Sequence, residues 1–144
     1  LANHPDARTL SSGALCTARI LTVYRPDADP SPDALPELVL AAYRMPTGGA
    51  VADNFDIGGI AAPIDLATGR LGAGVWKRGA RAMELVERHP DTGAPIAGRT
   101  LPDWARAVDL VRRAHRALPD PRTVAATIGW DVALTADGPV LVEC

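Results

Sequence analysis

Two carboxylates near the end of the chain, Asp131 and Glu143, are the residues whose type and placement most invite chemistry. Around the first, Ile128, Trp130, Val132 and Leu134 recur with the period of two that marks a strand buried on one face. Val140, Val142 and Cys144 make a matching apolar set on a return strand. Placing both sets on one face of an antiparallel pair requires a three-residue loop, Ala136-Asp137-Gly138, with Gly138 left-handed. A two-residue Asp137-Gly138 turn slips the register by one and separates the sets. The longer loop puts Asp131 opposite Glu143, with Cβ atoms roughly 4.5–5.5 Å apart, and like charges so placed repel unless something positive lies between them. A hard divalent cation meets that need, because Mg²⁺ is commonly held by one or two carboxylates completed by substrate phosphates.

Two arginines lie on strands that the pattern pairs. The β-branched and apolar run from Cys16 to Tyr24 contains Arg19, and the short apolar run from Glu37 to Arg44 reads as its partner. Taken alone, each arginine is a surface side chain or an ion-pair partner. Residues 26–36 alternate prolines with Asp27, Asp29 and Asp33, the composition of a solvated loop. Further on stand Asn54, Gly58 and Gly59. Paired glycines let backbone N–H groups approach an anion because no Cβ intervenes, and the same residues also build a plain turn.

The remaining elements support these. Asp65-Leu66-Ala67-Thr68-Gly69 is a turn between strands at Ile57 to Ile64 and Leu71 to Lys77, and Asp91-Thr92-Gly93 repeats its chemistry. Arg81 to Arg88 reads as a strand, since His89-Pro90 follows and the residue before a proline avoids the helical region. A helix is expected from about Pro102 to Leu118, with Thr100 and Asp103 at capping-box spacing. Its stripe of Trp104, Val108, Val111, His115 and Leu118 is suited to cover a sheet, with arginines outside it. His89 and His115 read as structural side chains with hydrogen-bond partners. Pro119, Pro121 and Arg122 break the chain before the last hairpin. The fold class is therefore α+β: a mostly antiparallel sheet with one long helix on one face and the polar site on the other.

Gly129-Trp130-Asp131, Asp137-Gly138-Pro139 and Leu141-Val142-Glu143 together resemble the metal-binding end of the ATP-grasp ligases, where an Asp on one strand and a Glu-x-Asn on the next hold magnesium. More narrowly the chain resembles the sugar-transfer associated ATP-grasp family, and distantly the ligases that add glutamate to a protein terminus. The order matches: an arginine-bearing strand pair, then Asn-x-x-x-Gly-Gly, then the Asp…Glu hairpin. The resemblance implies the second subdomain of an ATP-grasp fold, in which ATP lies between two α+β subdomains. It implies that Asp131 and Glu143 hold Mg²⁺, that Asn54, Gly58 and Gly59 line the phosphate and acceptor side, and that Arg19 and Arg44 meet the transferring phosphoryl group. The implied reaction is ATP-dependent ligation of a small carboxylate to an amine or similar nucleophile through an acyl phosphate. Cys16 departs from the pattern, where an Asn is expected. The third metal ligand would follow Cys144, and the phosphate-holding lysines and adenine hinge of the preceding, N-terminal subdomain have no counterpart. The expectation is thus a truncated half of a Mg–ATP site, inactive alone, with self-association through a sheet edge as a further expectation. Two other readings stay open: a nucleotide-binding or interaction module that keeps the half-fold without its chemistry, and an unrelated β-rich domain with both acids merely exposed.

Length and composition set outer limits. A chain of 144 residues suits a single domain, 1–144, with residues 1–12 as a connecting segment. A net charge of −2 gives no reason to expect nucleic acid or a membrane surface as partner. No signal peptide or long apolar run is present, which makes a cytoplasmic protein the default expectation. Cys16 and Cys144 are too few for a disulfide framework, and no His/Cys spacing suggests zinc.

Overall fold

The computed structural model describes residues 1–11, 13–25, 34–79, 82–119 and 126–144. Most of the loop expected at 26–36, and the break at Pro121 and Arg122, lie outside the described residues. The β-branched run produces β1 (Thr17–Val23), followed by β2 (Glu37–Met45), β3 (Ile60–Pro63), β4 (Gly74–Arg78) and β5 (Ala82–Val86). The helix α1 (Trp104–Arg116) and the hairpin β6 (Thr127–Thr135) and β7 (Gly138–Glu143) complete the order. All seven strands form one sheet in the order β5-β4-β3-β2-β1-β6-β7, and every pairing is antiparallel. The architecture is α+β, as expected. Because β1 is paired by both β2 and β6, the hairpin lies directly beside the arginine strands.

Strand alternation divides the sheet into two faces. Ile20 pairs with Trp130 and with Ala41, and Ala18 with Tyr43 and Val132, so these side chains share the face that forms the core. Arg19 pairs with Asp131, and Thr17 with Arg44, on the other face. The core face is closed by α1, whose Trp104, Ala107, Val111 and His115 are buried at the i, i+3, i+4 spacing of one stripe. Trp104 Nε1 donates to the Leu66 carbonyl at 3.0 Å, which docks the helix start on the turn after β3.

The helix begins later than expected and without the capping box. Its N-cap is Asp103, in the left-handed region at φ 52, with no side-chain capping bond. The Asp103 carboxylate instead accepts from Arg106 at 3.1 Å, and the Thr100 backbone is held in a bridge to Arg70. Pro102 accordingly precedes the helix.

The terminal hairpin also differs in detail. Gly138 has a positive φ of 115, as expected. The turn is shorter, however: Thr135 pairs with Gly138 and Val132 with Leu141, and the Asp131–Glu143 pairing is reached through an irregularity between Asp131 and Val132. A bulge adds one residue to one strand, so alternation stops predicting faces across it. Leu141 packs against the core, while Val142 and Cys144 are exposed.

The opening residues, expected only to connect, are packed. Ala7 and Leu10 are fully buried around a short 3₁₀ turn, Arg8–Leu10. The His4 amide donates to the Leu134 carbonyl at 2.7 Å, and Asn3 Oδ1 accepts from the Cys16 amide at 2.8 Å.

Candidate functional site

On the face away from the helix, β1, β2 and β6 bring Arg19, Arg44 and Asp131 together, although 112 residues separate Arg19 from Asp131. The Asp131 side chain is only 5% exposed. Its Oδ2 accepts from Arg44 Nη2 at 2.7 Å and from Arg19 Nη2 at 3.0 Å. Arg19 Nε lies 2.5 Å from Oδ1 as an ion pair, without the alignment of a hydrogen bond. The carboxylate is thus clamped by two guanidinium groups. Arg has the planar fork that suits such shared contacts, and it keeps its charge throughout the accessible pH range. Gly129 borders the cluster: a Cβ there would lie 3.3 Å from Arg19 Nη1. Glu143, paired with Asp131 in the ladder, is exposed at the end of β7.

Two further side chains belong to this cluster, and the sequence did not single them out. Thr17 Oγ1 donates to Asp53 Oδ2 at 2.5 Å and accepts from Arg44 Nε at 3.1 Å and Nη2 at 2.8 Å. Asp53 Oδ1 stands 3.5 Å from Arg44 Nη2. Both Thr17 and Asp53 are buried. The one available signal was that Asp53 immediately precedes Asn54 and Thr17 lies two residues from Arg19.

The Asn54, Gly58 and Gly59 segment closes on itself beside the cluster. Asn54 Oδ1 caps the short turn Phe55–Ile57 by accepting from the Asp56 amide at 2.9 Å, and Gly58 ends it at φ 108. The Gly58 amide donates to the Phe55 carbonyl at 3.2 Å and the Gly59 amide to the Asn54 carbonyl at 3.1 Å. Both N–H groups are therefore engaged within the loop and are not presented to an anion. Gly59 is needed for close approach, since a Cβ there would lie 2.8 Å from the Asn54 oxygen. The Gly58 carbonyl is fixed by two donors, Thr47 Oγ1 at 2.7 Å and Trp76 Nε1 at 3.0 Å.

The donor chemistry for a metal is that of a shared site. Among the described residues, no group of three or more His, Cys, Asp or Glu side chains is placed to hold a metal ion by itself. Two facing carboxylates fit an ion completed by phosphates, but arginine nitrogens already stand against both Asp131 oxygens, which leaves exposed Glu143 as the open donor. The histidines lie elsewhere. His89 is held by the Pro46 carbonyl at 2.9 Å, and His115 by Thr22 Oγ1 at 2.8 Å under the helix. Cys16, where an Asn was expected, is buried, and burial pushes its thiol up to about 12. Its thiol donates to the Leu10 carbonyl at 3.4 Å, and the nearby Asp53 carboxylate adds to the upward shift. Tyr43, against the same thiol, is likewise raised by burial. No described helix is long and apolar enough to cross a membrane.

No curated protein and no solved structure matched the chain. A family model described as sugar-transfer associated ATP-grasp matches residues 1–144, the whole length. With a pairing of Asp131 and Glu143 beside two strand-borne arginines, and that match over every residue, the chain belongs to the sugar-transfer associated ATP-grasp family.

Proposed function

We propose that this chain supplies the phosphoryl-handling half of a Mg–ATP site in an ATP-dependent carboxylate–amine, or similar, ligase. The observation that carries the reading is the buried Asp131, held by Arg19 and Arg44 and facing Glu143 across the ladder. Phosphoryl transfer asks a protein for positioning and for fixed charge near the equatorial oxygens. Arg19 and Arg44 provide that charge from rigid strands, and their ion pairs to Asp131 fix where it stands. Asp131 and Glu143 would hold Mg²⁺, which when bound neutralises the phosphates. Asn54, Gly58 and Gly59 shape the neighbouring wall on the phosphate and acceptor side. In the whole reaction a small carboxylate accepts the γ-phosphoryl group as an acyl phosphate, and an amine displaces phosphate from it. The chain's one lysine, Lys77, is tied to Asp56 at 2.6 Å, so no lysine reaches the cluster. On that ground the chain alone binds Mg–ATP weakly and does not turn over, completing its site with the N-terminal ATP-grasp subdomain.

A non-catalytic nucleotide-binding module is favoured by one observation: the two guanidinium groups already neutralise Asp131 without a cation. Calorimetric titration with ATP, with and without Mg²⁺, separates the readings. Weak binding that requires Mg²⁺ is expected, and Glu143→Gln should abolish the Mg²⁺ dependence. That substitution is exposed and should move stability by less than about 0.5 kcal/mol. Binding indifferent to Mg²⁺ favours the non-catalytic module. Absence of any binding sinks both, and ADP release by the chain at a rate typical of a complete ligase sinks the claim that it is only half a site.

A further inference from the structure

We infer that Thr17 and Asp53 are positioning residues for Arg44, and that the Asn-x-x-x-Gly-Gly turn acts on the site by delivering Asp53 rather than by offering amides to phosphate. The inference rests on the phosphoryl-handling role of Arg44 proposed above.

A hydroxyl has one hydrogen to donate and two lone pairs to accept with. In Thr17 the hydrogen goes to Asp53 Oδ2, because a carboxylate oxygen accepts. Both lone pairs are then left for Arg44, whose Nε and Nη2 donate to the same oxygen at 3.1 and 2.8 Å. With Asp53 absent, the hydroxyl is free to rotate and one of these contacts loses its acceptor. Asp53 therefore sets the direction of the Thr17 hydroxyl, and Thr17 sets the plane of the guanidinium. Arg44 Nη2 reaches Asp131 Oδ2 from that plane at 2.7 Å. Among the described residues Nη1 has no hydrogen-bond partner, so one corner of the fork remains for an anion. Thr17 is 4% exposed as a residue, and the Asp53 side chain is 12% exposed against 21% for the Arg44 side chain. The buried pair serves the more accessible cation.

Delivery of Asp53 depends on the turn that follows it. The amides of Ile57 and Gly59 both donate to the Asn54 carbonyl, at 3.4 and 3.1 Å, drawing the chain back over residue 53. A Cβ on Gly59 would lie 2.8 Å from the Asn54 oxygen and 3.2 Å from the Asp53 oxygen. These are backbone atoms, so Gly59→Ala must displace the backbone of the turn that carries Asp53.

The test follows the Arg44 Nε–Hε signal of ¹⁵N-labelled chain by NMR, assigned by its loss in Arg44→Met, together with calorimetric binding of Mg–ATP. Thr17→Val, Asp53→Ala and Gly59→Ala should each move the signal toward that of a solvent-exposed arginine and weaken binding roughly tenfold, the scale of one hydrogen bond to a charged group. Thr17→Ser, which restores the hydroxyl, should keep both at wild-type values. A wild-type Arg44 signal in Thr17→Val and Asp53→Ala overturns the inference, whatever their melting temperatures. So does failure of Thr17→Ser to rescue. If the unaltered chain binds no Mg–ATP, the functional reading fails, and the Arg44 signal in the unliganded chain still decides the positioning claim.

Discussion

The two faces of the sheet meet at adjacent residues, and each carries a buried polar network. On the helix side, Trp130 Nε1 donates to Thr22 Oγ1 at 2.7 Å, and the same oxygen meets His115 Nδ1 at 2.8 Å. All three side chains are nearly inaccessible. On the other side, one residue along the same strand, Asp131 engages two arginines whose side chains are 43% and 21% exposed. The first network is enclosed; the second is ionic and opens to solvent. Enclosed hydrogen bonds stabilise a fold because every group finds a partner once water is gone. A buried carboxylate paired with partly exposed arginines gives little net stability over apolar packing, because the cost of taking it out of water offsets the attraction. The difference separates the part of β1 and β6 that holds the structure from the part proposed to meet a ligand.

The largest effect is expected on the enclosed side. Trp130→Ala removes a core indole and the Thr22 donor together and should cost about 3–5 kcal/mol, read as loss of denaturant resistance. Trp130→Phe removes chiefly the donor and should cost about 1 kcal/mol, because Thr22 keeps its contact with His115. Mg–ATP affinity should be unchanged in Trp130→Phe. A selective loss of affinity at wild-type stability would break the division between the faces.

The next effect distinguishes the faces by pH. Arginine does not titrate in the accessible range, so alkali acts on the core face through Cys16 and Tyr43. Burial raises the Cys16 thiol from 9.0 to about 12, and Tyr43 is raised from 10.0 by the same cause. The unfolded chain then loses protons that the folded chain retains, so the associated stability is fully present below pH 9, falls as pH rises and is gone above the folded pKa values. Unfolding midpoints should decline from about pH 9 upward. At pH 8 a thiol reagent should label exposed Cys144 and spare Cys16. Prompt labelling of both at wild-type stability would show that the core face is not enclosed.

How far the sequence spoke for each face follows from the range of the signal. Alternation and helical spacing are local, so the pairing of the arginine strands, the Trp104–His115 stripe and the facing of Asp131 and Glu143 were legible. The turn length was not, because a bulge at Asp131/Val132 and a shorter loop offset each other in the register at Glu143. Thr17 and Asp53 were invisible for another reason. A threonine in a strand and an aspartate before a turn are ordinary, and their meaning lies in a contact across 36 residues. Ala7 and Leu10 are too sparse to form a period, yet they bury completely. The metal-ligand reading of Asp131 came from its facing Glu143 and from the resemblance, and only the packed strands showed that arginines meet the same oxygens.

The smallest effect belongs to a carboxylate held by neighbours in sequence, the opposite of Asp131. Asp65 Oδ1 accepts from Thr68 Oγ1 at 2.6 Å and from the Thr68 amide at 2.8 Å, and these bonds lower its pKa from 3.8. A depressed carboxylate contributes stability that is present above the unfolded value and is lost as pH falls through the folded one. Asp65 is fully exposed, so water competes for both bonds. Thr68→Val removes the hydroxyl and leaves the amide. It should raise the Asp65 titration midpoint, followed by carbonyl ¹³C shift, toward its usual value with scarcely any change in unfolding midpoint. An unchanged titration would mean that the amide alone holds the carboxylate. A large loss of stability would mean that a turn four residues long carries what Asp131 needs three strands to achieve.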